Sequence, residues 1–95
     1  MDTKEIIRKL QRIKPYLQRE YAVKTVGLFG SFAAGNYTDN SDVDIMVDFE
    51  RPVGVEFIDL SYFLERELNR KVDLVSLKGV KAKYFKEIEK EIVYV

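Results

Sequence analysis

Leu28-Phe29-Gly30-Ser31, followed after a polar loop by Asp42-Val43-Asp44-Ile45-Met46-Val47, is the stretch that decides the fold. The first run reads as an apolar strand ending at a glycine, where backbone can approach a ligand closely, with a helix beginning at the serine. The second alternates: Val43, Ile45, Val47 and Phe49 on one side, Asp42, Asp44, Met46 and Asp48 on the other. That period of two predicts a half-buried strand with an apolar rear and an acidic front.

Outward from this centre the chain alternates helices and strands. Ile6, Ile7, Leu10, Ile13 and Leu17 fall at helical spacing behind a cap at Asp2 or Thr3, and Pro15 is expected to kink or divide that helix near Lys14. A strand is expected over 22–29, a turn with a short helical start over 30–35, and a loop over 36–41. Phe57, Leu60, Leu64 and Leu68 mark a second amphipathic helix, and residues 72–77 a third strand. A charged helix over about 81–90 and an apolar tail, Ile92 to Val95, complete the chain. The order α-β-β-α-β-α predicts an α/β (α+β) fold: a small mixed sheet of about three strands with helices packed on one face. Residues 1–95 are expected to form one domain.

Composition removes whole classes of chemistry. With no cysteine and no histidine, thiolate metal sites, cysteine nucleophiles and imidazole acid–base catalysis are excluded. Sixteen basic residues balance sixteen acidic ones, so no global field draws the chain to nucleic acid or to an anionic membrane. No run approaches the roughly 20 apolar residues of a membrane span, and no signal-like segment opens the chain. A cytoplasmic location is the expectation, with no direct binding to nucleic acid or membrane.

Asp42 and Asp44 stand at i and i+2 of the strand, about 6.6 Å apart along it and facing the same way. Such a pair can converge on one divalent cation or bracket two. Without a cation their repulsion costs roughly 2–3 kcal/mol at an effective dielectric near 20. The alternative is an ordinary solvated sheet face, and for Gly30-Ser31 it is a plain strand-to-helix turn with Ser31 as its N-cap. Asp73, interrupting the apolar run Val72-Asp73-Leu74-Val75, supplies a third carboxylate if its strand lies beside the second. The conjunction, not any one member, points to a metal-dependent nucleotide-transfer site. A P-loop is rejected, because Asn36-Tyr37 stand where that motif needs Lys and Ser/Thr. Asp48 reads as solvated. Tyr84, Phe85, Val93 and Tyr94 read mainly as core, with Tyr62 and Phe63 leaving a surplus for a partner surface.

Val26 to Gly35, Ser41 to Val47 and Lys71 to Val75 together resemble the minimal nucleotidyltransferase (MNT) branch of the polymerase-beta-like nucleotidyltransferase superfamily. The resemblance spans essentially the whole chain. It implies attack of an acceptor hydroxyl on the α-phosphate of a nucleoside triphosphate, ATP by expectation. Asp42, Asp44 and Asp73 would hold two Mg²⁺ ions, Asp73 would activate the acceptor, and Gly30 and Ser31 would bind the triphosphate. It further implies an antitoxin role, with AMP moved onto a tyrosine of a HEPN-domain toxin, in a homo- or hetero-oligomer. One departure stands out: this turn often carries arginine in the family, and here Ala34 occupies the place. Lys24, Lys78 and Lys81 are the candidate substitutes. A binding-only antitoxin and a small-molecule nucleotidyltransferase of the aminoglycoside-modifying kind are the alternatives.

Overall fold

A computed structural model describes residues 1–95. Helix α1 (Thr3–Tyr21) starts with a reciprocal capping box: Asp2 accepts from the Glu5 amide, and Glu5 accepts from the Asp2 amide. Pro15 sits inside α1 without dividing it, contrary to expectation. Pro15 is solvent-exposed, so the carbonyl deprived of its donor faces water, while Ile6, Leu10, Ile13 and Leu17 press the opposite side onto the core.

After a left-handed Ala22 comes strand β1 (Val23–Phe29), then helix α2 (Gly30–Ala34) and strand β2 (Val43–Phe49). Helix α3 (Val55–Leu68) crosses to β3 (Val72–Ser76). A short α4 (Ala82–Ile88) and a 3₁₀ turn lead to β4 (Val93–Tyr94). The sheet order is β3-β2-β1-β4. β1 pairs antiparallel with β2 and β4, whereas β2 and β3 run parallel. The mixed sheet is as expected but has four strands, not about three. The tail expected only to be apolar adds an edge strand opposite Gly27 and Leu28. Gly27 makes room for it: a Cβ there would lie 2.5 Å from Ile92 Cγ2.

A bulge sets the phase of β1. Val23 pairs with Phe49 and Thr25 with Asp48, leaving Lys24 as the extra residue. Without that insertion Val23 and Val26, three apart, would face opposite sides of the sheet; with it both join the main core. That core packs α1 and α3 against the rear of the sheet, through Leu10, Leu17, Val26, Leu28, Ile45, Val47, Leu60 and Leu64 among others. On the front, Phe29, Met46 and Ile88 form a second, small cluster, so α4 lies across from the two long helices. Of the residues read as core near the end of the chain, Tyr84, Val93 and Tyr94 are exposed, as is Tyr62 on α3. α4 buries only Ile88, and β4 buries neither of its two residues. No helix is long and apolar enough to cross a membrane.

Candidate active site

Three strand ends meet at the front of the sheet. Phe29, the last residue of β1, pairs with Asp44, so Gly30 emerges directly against that carboxylate. Gly30 has φ 72°, the left-handed region, and a Cβ there would collide with the Asp44 side chain. The chain can turn into α2 at this point only because the residue has no side chain. Across the other edge of β2, Asp44 pairs with Asp73 of parallel β3. Neighbours in register share a face, so the two side chains project from the same face of strands spaced about 4.8 Å apart. Asp42 sits just before β2, one step outside the strand that the alternation placed it in.

The electrostatics follow from this crowding. Burial first, then Asp73, then Asp42 push the Asp44 carboxyl up from the usual carboxylate value to about 6. Asp44 is half-buried, and Asp42 and Asp73 are exposed. No basic side chain forms an ion pair with any of the three. The cluster is therefore an uncompensated negative centre, and a cation is the simplest group to relieve it.

The donor set suits Mg²⁺: hard carboxylate oxygens only, without nitrogen or sulfur. No three acidic side chains are gathered tightly enough to hold a metal ion by themselves. This agrees with Mg²⁺ chemistry rather than opposing it, because Mg²⁺ is commonly bound through one or two carboxylates with substrate phosphates completing its shell.

Ser31 is the second residue of α2 and does not cap it. The N-cap is Phe29, with no side-chain hydrogen bond, so the reading of Ser31 as a mere cap fails. Its carbonyl accepts from the amides of Gly35 (2.9 Å) and Asn36 (3.1 Å), which closes the short helix. Ala34 leaves no cation in the turn. Two of the candidate substitutes lie elsewhere: Lys24 is at the bulge opposite Asp48, and Lys78 lines a cavity of about 240 Å³ with Asp48, Phe49, Arg51, Pro52, Val53 and Ser76. That cavity is at the far end of β2, about 13 Å from Asp44 by strand rise, and includes none of the three clustered acids. Asp48 is half-buried there and accepts from the Phe49 amide (3.0 Å), so it is not the freely solvated residue expected.

Sequence reasoning missed Arg70. Its guanidinium lies over the Phe32 ring, 5.0 Å from the centroid, and reaches the carbonyls of the loop that leads into Asp42. The sole signal was a cation just before an acid-bearing strand, which on its own reads as surface charge.

Comparison with known proteins identifies the family and the fold. The Nucleotidyltransferase domain family model matches residues 10–95. Protein adenylyltransferase MntA of Thermococcus cleftensis is 41% identical over 83 residues, covering 86% of this chain and 84% of the relative. A Methanocaldococcus jannaschii protein, provisionally named a protein adenylyltransferase, is 42% identical over 98 residues, covering 99% and 95%. A solved structure provisionally described as a minimal nucleotidyltransferase superposes with TM-score 0.86 at 26% identity, covering 98% and 95%. The same fold is seen, at TM-score 0.68 and 21% identity, in a complex of a tri-AMPylated Shewanella oneidensis HEPN toxin with its MNT antitoxin, covering 94% of this chain and 70% of that one.

Proposed function

The chain belongs to the Nucleotidyltransferase domain family, and we propose that it transfers AMP from ATP, with Mg²⁺, onto a tyrosine hydroxyl of a HEPN-domain toxin, acting as the antitoxin. The observation that carries the reading is the register that sets Asp73 beside Asp44 and Asp44 against Gly30. Support for the partner comes from the relatives named as protein adenylyltransferases and from the fold shared with an MNT–HEPN complex.

In this mechanism Gly30 lets the triphosphate approach the backbone, and the unspent Ser31 hydroxyl donates to a terminal phosphate oxygen. Asp42, Asp44 and Asp73 would hold Mg²⁺ together with the substrate phosphates that complete its shell. Bound there, Mg²⁺ would neutralise the triphosphate and steady the leaving pyrophosphate. Asp73, exposed at the rim, accepts the proton of the attacking hydroxyl. The acceptor oxygen bonds to the α-phosphorus, the α–β bridging bond breaks, and pyrophosphate departs. Asp42 and Asp73 are exposed and line neither of the two cavities, which suits a protein acceptor better than a small molecule.

The test is incubation with the cognate HEPN-domain toxin, Mg²⁺ and ATP labelled at either the α- or the γ-phosphate. Label reaching the toxin from the α-position alone, and lost with EDTA, is the expected result. A toxin silenced without label would support the second reading, binding-only neutralisation, which Ala34 favours because the turn lacks a phosphate-binding cation.

A further inference from the structure

Arg70 occupies a position that the chemistry above does not use. It lies between the end of α3 and Asp73, and its side chain reaches away from β3 into the 36–41 loop. Nη1 donates to the carbonyls of Asp39 (3.2 Å) and Ser41 (3.4 Å), and Nη2 to those of Thr38 (3.5 Å) and Asp39 (3.4 Å). The guanidinium carbon lies over the ring of fully buried Phe32, 5.0 Å from its centroid, and that ring also stacks with Tyr37 at 4.3 Å. Phe32 is the residue after Ser31, and its carbonyl accepts from Thr3 Oγ1 at 2.7 Å, which anchors α2 to α1. One residue on from Arg70, the Lys71 carbonyl accepts from the Val43 amide at 2.9 Å.

One side chain therefore joins three separate segments: the helix bearing Ser31, the loop that delivers Asp42, and the approach to Asp73. We propose that Arg70 is a positioning residue that clamps the 38–41 loop, so that Asp42 and Asp73 keep a fixed place relative to Ser31. The loop needs such a clamp. Its own bonds are few and local, from the Thr38 amide to Ser41 Oγ (2.9 Å), Asn40 amide to Thr38 Oγ1 (3.3 Å) and Ser41 amide to the Thr38 carbonyl (3.1 Å). Three carbonyls converging on one group require a planar fork of donors, which arginine has and the compact ammonium of lysine lacks. Because Arg70 meets only backbone carbonyls and a ring face, its action on the reaction is through the acids it places.

The role in catalysis rests on the proposed adenylyl transfer; the clamp itself does not, and the experiment separates them. Arg70→Met and Arg70→Lys are compared with the parent by amide hydrogen exchange and by transfer from α-labelled ATP to the cognate HEPN-domain toxin. Exchange over residues 38–43 is expected to quicken at least ~10-fold in both variants, with β1 and α1 unchanged. The kcat for transfer is expected to fall ~10–100-fold, the effect of a displacement on the order of 1 Å, with KM for ATP within ~3-fold. Unchanged exchange in Arg70→Met would overturn the clamp. A loosened loop with parental kcat would overturn its part in catalysis, and full recovery in Arg70→Lys would overturn the need for the fork. A parent that transfers no label defeats the proposed activity, while the exchange contrast still decides the clamp.

Discussion

Gly30 and Asp44 compete for one volume: a Cβ on residue 30 would occupy the place of the Asp44 carboxylate. The positive φ of Gly30 adds a second penalty to any side chain there. Gly30→Ala is therefore expected to lower stability by roughly 2 kcal/mol, from left-handed strain together with displacement of Asp44. It should also reduce transfer by at least ~100-fold, because the acid proposed to bind the metal has moved. Thermal unfolding and the labelled-ATP assay check the two effects separately. A fully active Gly30→Ala protein is incompatible with this geometry.

Asp44→Asn keeps the shape of the side chain and removes its charge. In metal-free protein at pH 7 the variant should be more stable than the parent, because burial and two neighbouring acids no longer oppose ionisation at that position. Transfer should be abolished. Calorimetry with and without 5 mM Mg²⁺, a concentration of roughly the usual assay order, should show a stabilising response in the parent and a much smaller one in the variant. An equal Mg²⁺ response would detach Asp44 from the metal.

Stability should also depend on pH in a defined direction. Asp44 titrates near 6 in the folded protein and near 3.8 unfolded, so between those values the native state binds more protons. Unfolding free energy contributed by this group therefore falls as pH rises from about 4 to about 6, and levels off above. Allowing for solvent screening of so accessible a group, the loss is about 1 kcal/mol. Chemical denaturation of metal-free protein across that window, with Asp44→Asn as reference, isolates the effect. A difference between parent and variant that grew with acidity would reverse the assignment.

Ser31→Ala should leave the melting temperature unchanged within about 1 °C, since Ser31 caps nothing and α2 already lacks a side-chain cap. Its effect is expected in substrate handling: KM for ATP rising about 5-fold, the equivalent of one hydrogen bond near 1 kcal/mol. A destabilised variant with normal KM would return Ser31 to a purely structural role.

Gly27→Ala tests the fourth strand. The added methyl meets Ile92 and lies 3.5 Å from the Tyr94 ring, so β4 must shift away from β1. A loss of about 1–2 kcal/mol is expected, with faster amide exchange confined to the end of the chain. Unaltered protection at Val95, whose amide donates to the Val26 carbonyl at 3.0 Å, would argue against that pairing.

Period and punctuation made much of this protein legible before folding. Alternation along 42–49 announced a strand with an acidic front, and helical spacing of Ile6, Leu10, Ile13 and Leu17 announced α1. Such patterns are local: a two-residue or 3.6-residue repeat needs only its own segment to be read. Pro15 misled because a proline's cost depends on whether the carbonyl it strands can reach water, which is set by the side of α1 that faces the sheet. Tyr84 and Tyr94 misled because apolar character does not say whether a partner surface is there to cover it.

By itself the sequence determined the kinds of groups available: carboxylates without histidine or cysteine, a glycine at the strand end, and the faces that Asp42, Asp44 and Asp73 would occupy. Only the tertiary structure decided that they are neighbours. Asp44 and Asp73 stand 29 positions apart in the chain, and it is the parallel pairing of β2 with β3, reached through α3, that sets one beside the other. The guanidinium of Arg70 across Thr38, Asp39 and Ser41 was equally invisible, because carbonyl acceptors belong to every residue and carry no sequence signal. Register and backbone hydrogen bonding are properties of the folded sheet, and no residue type encodes them.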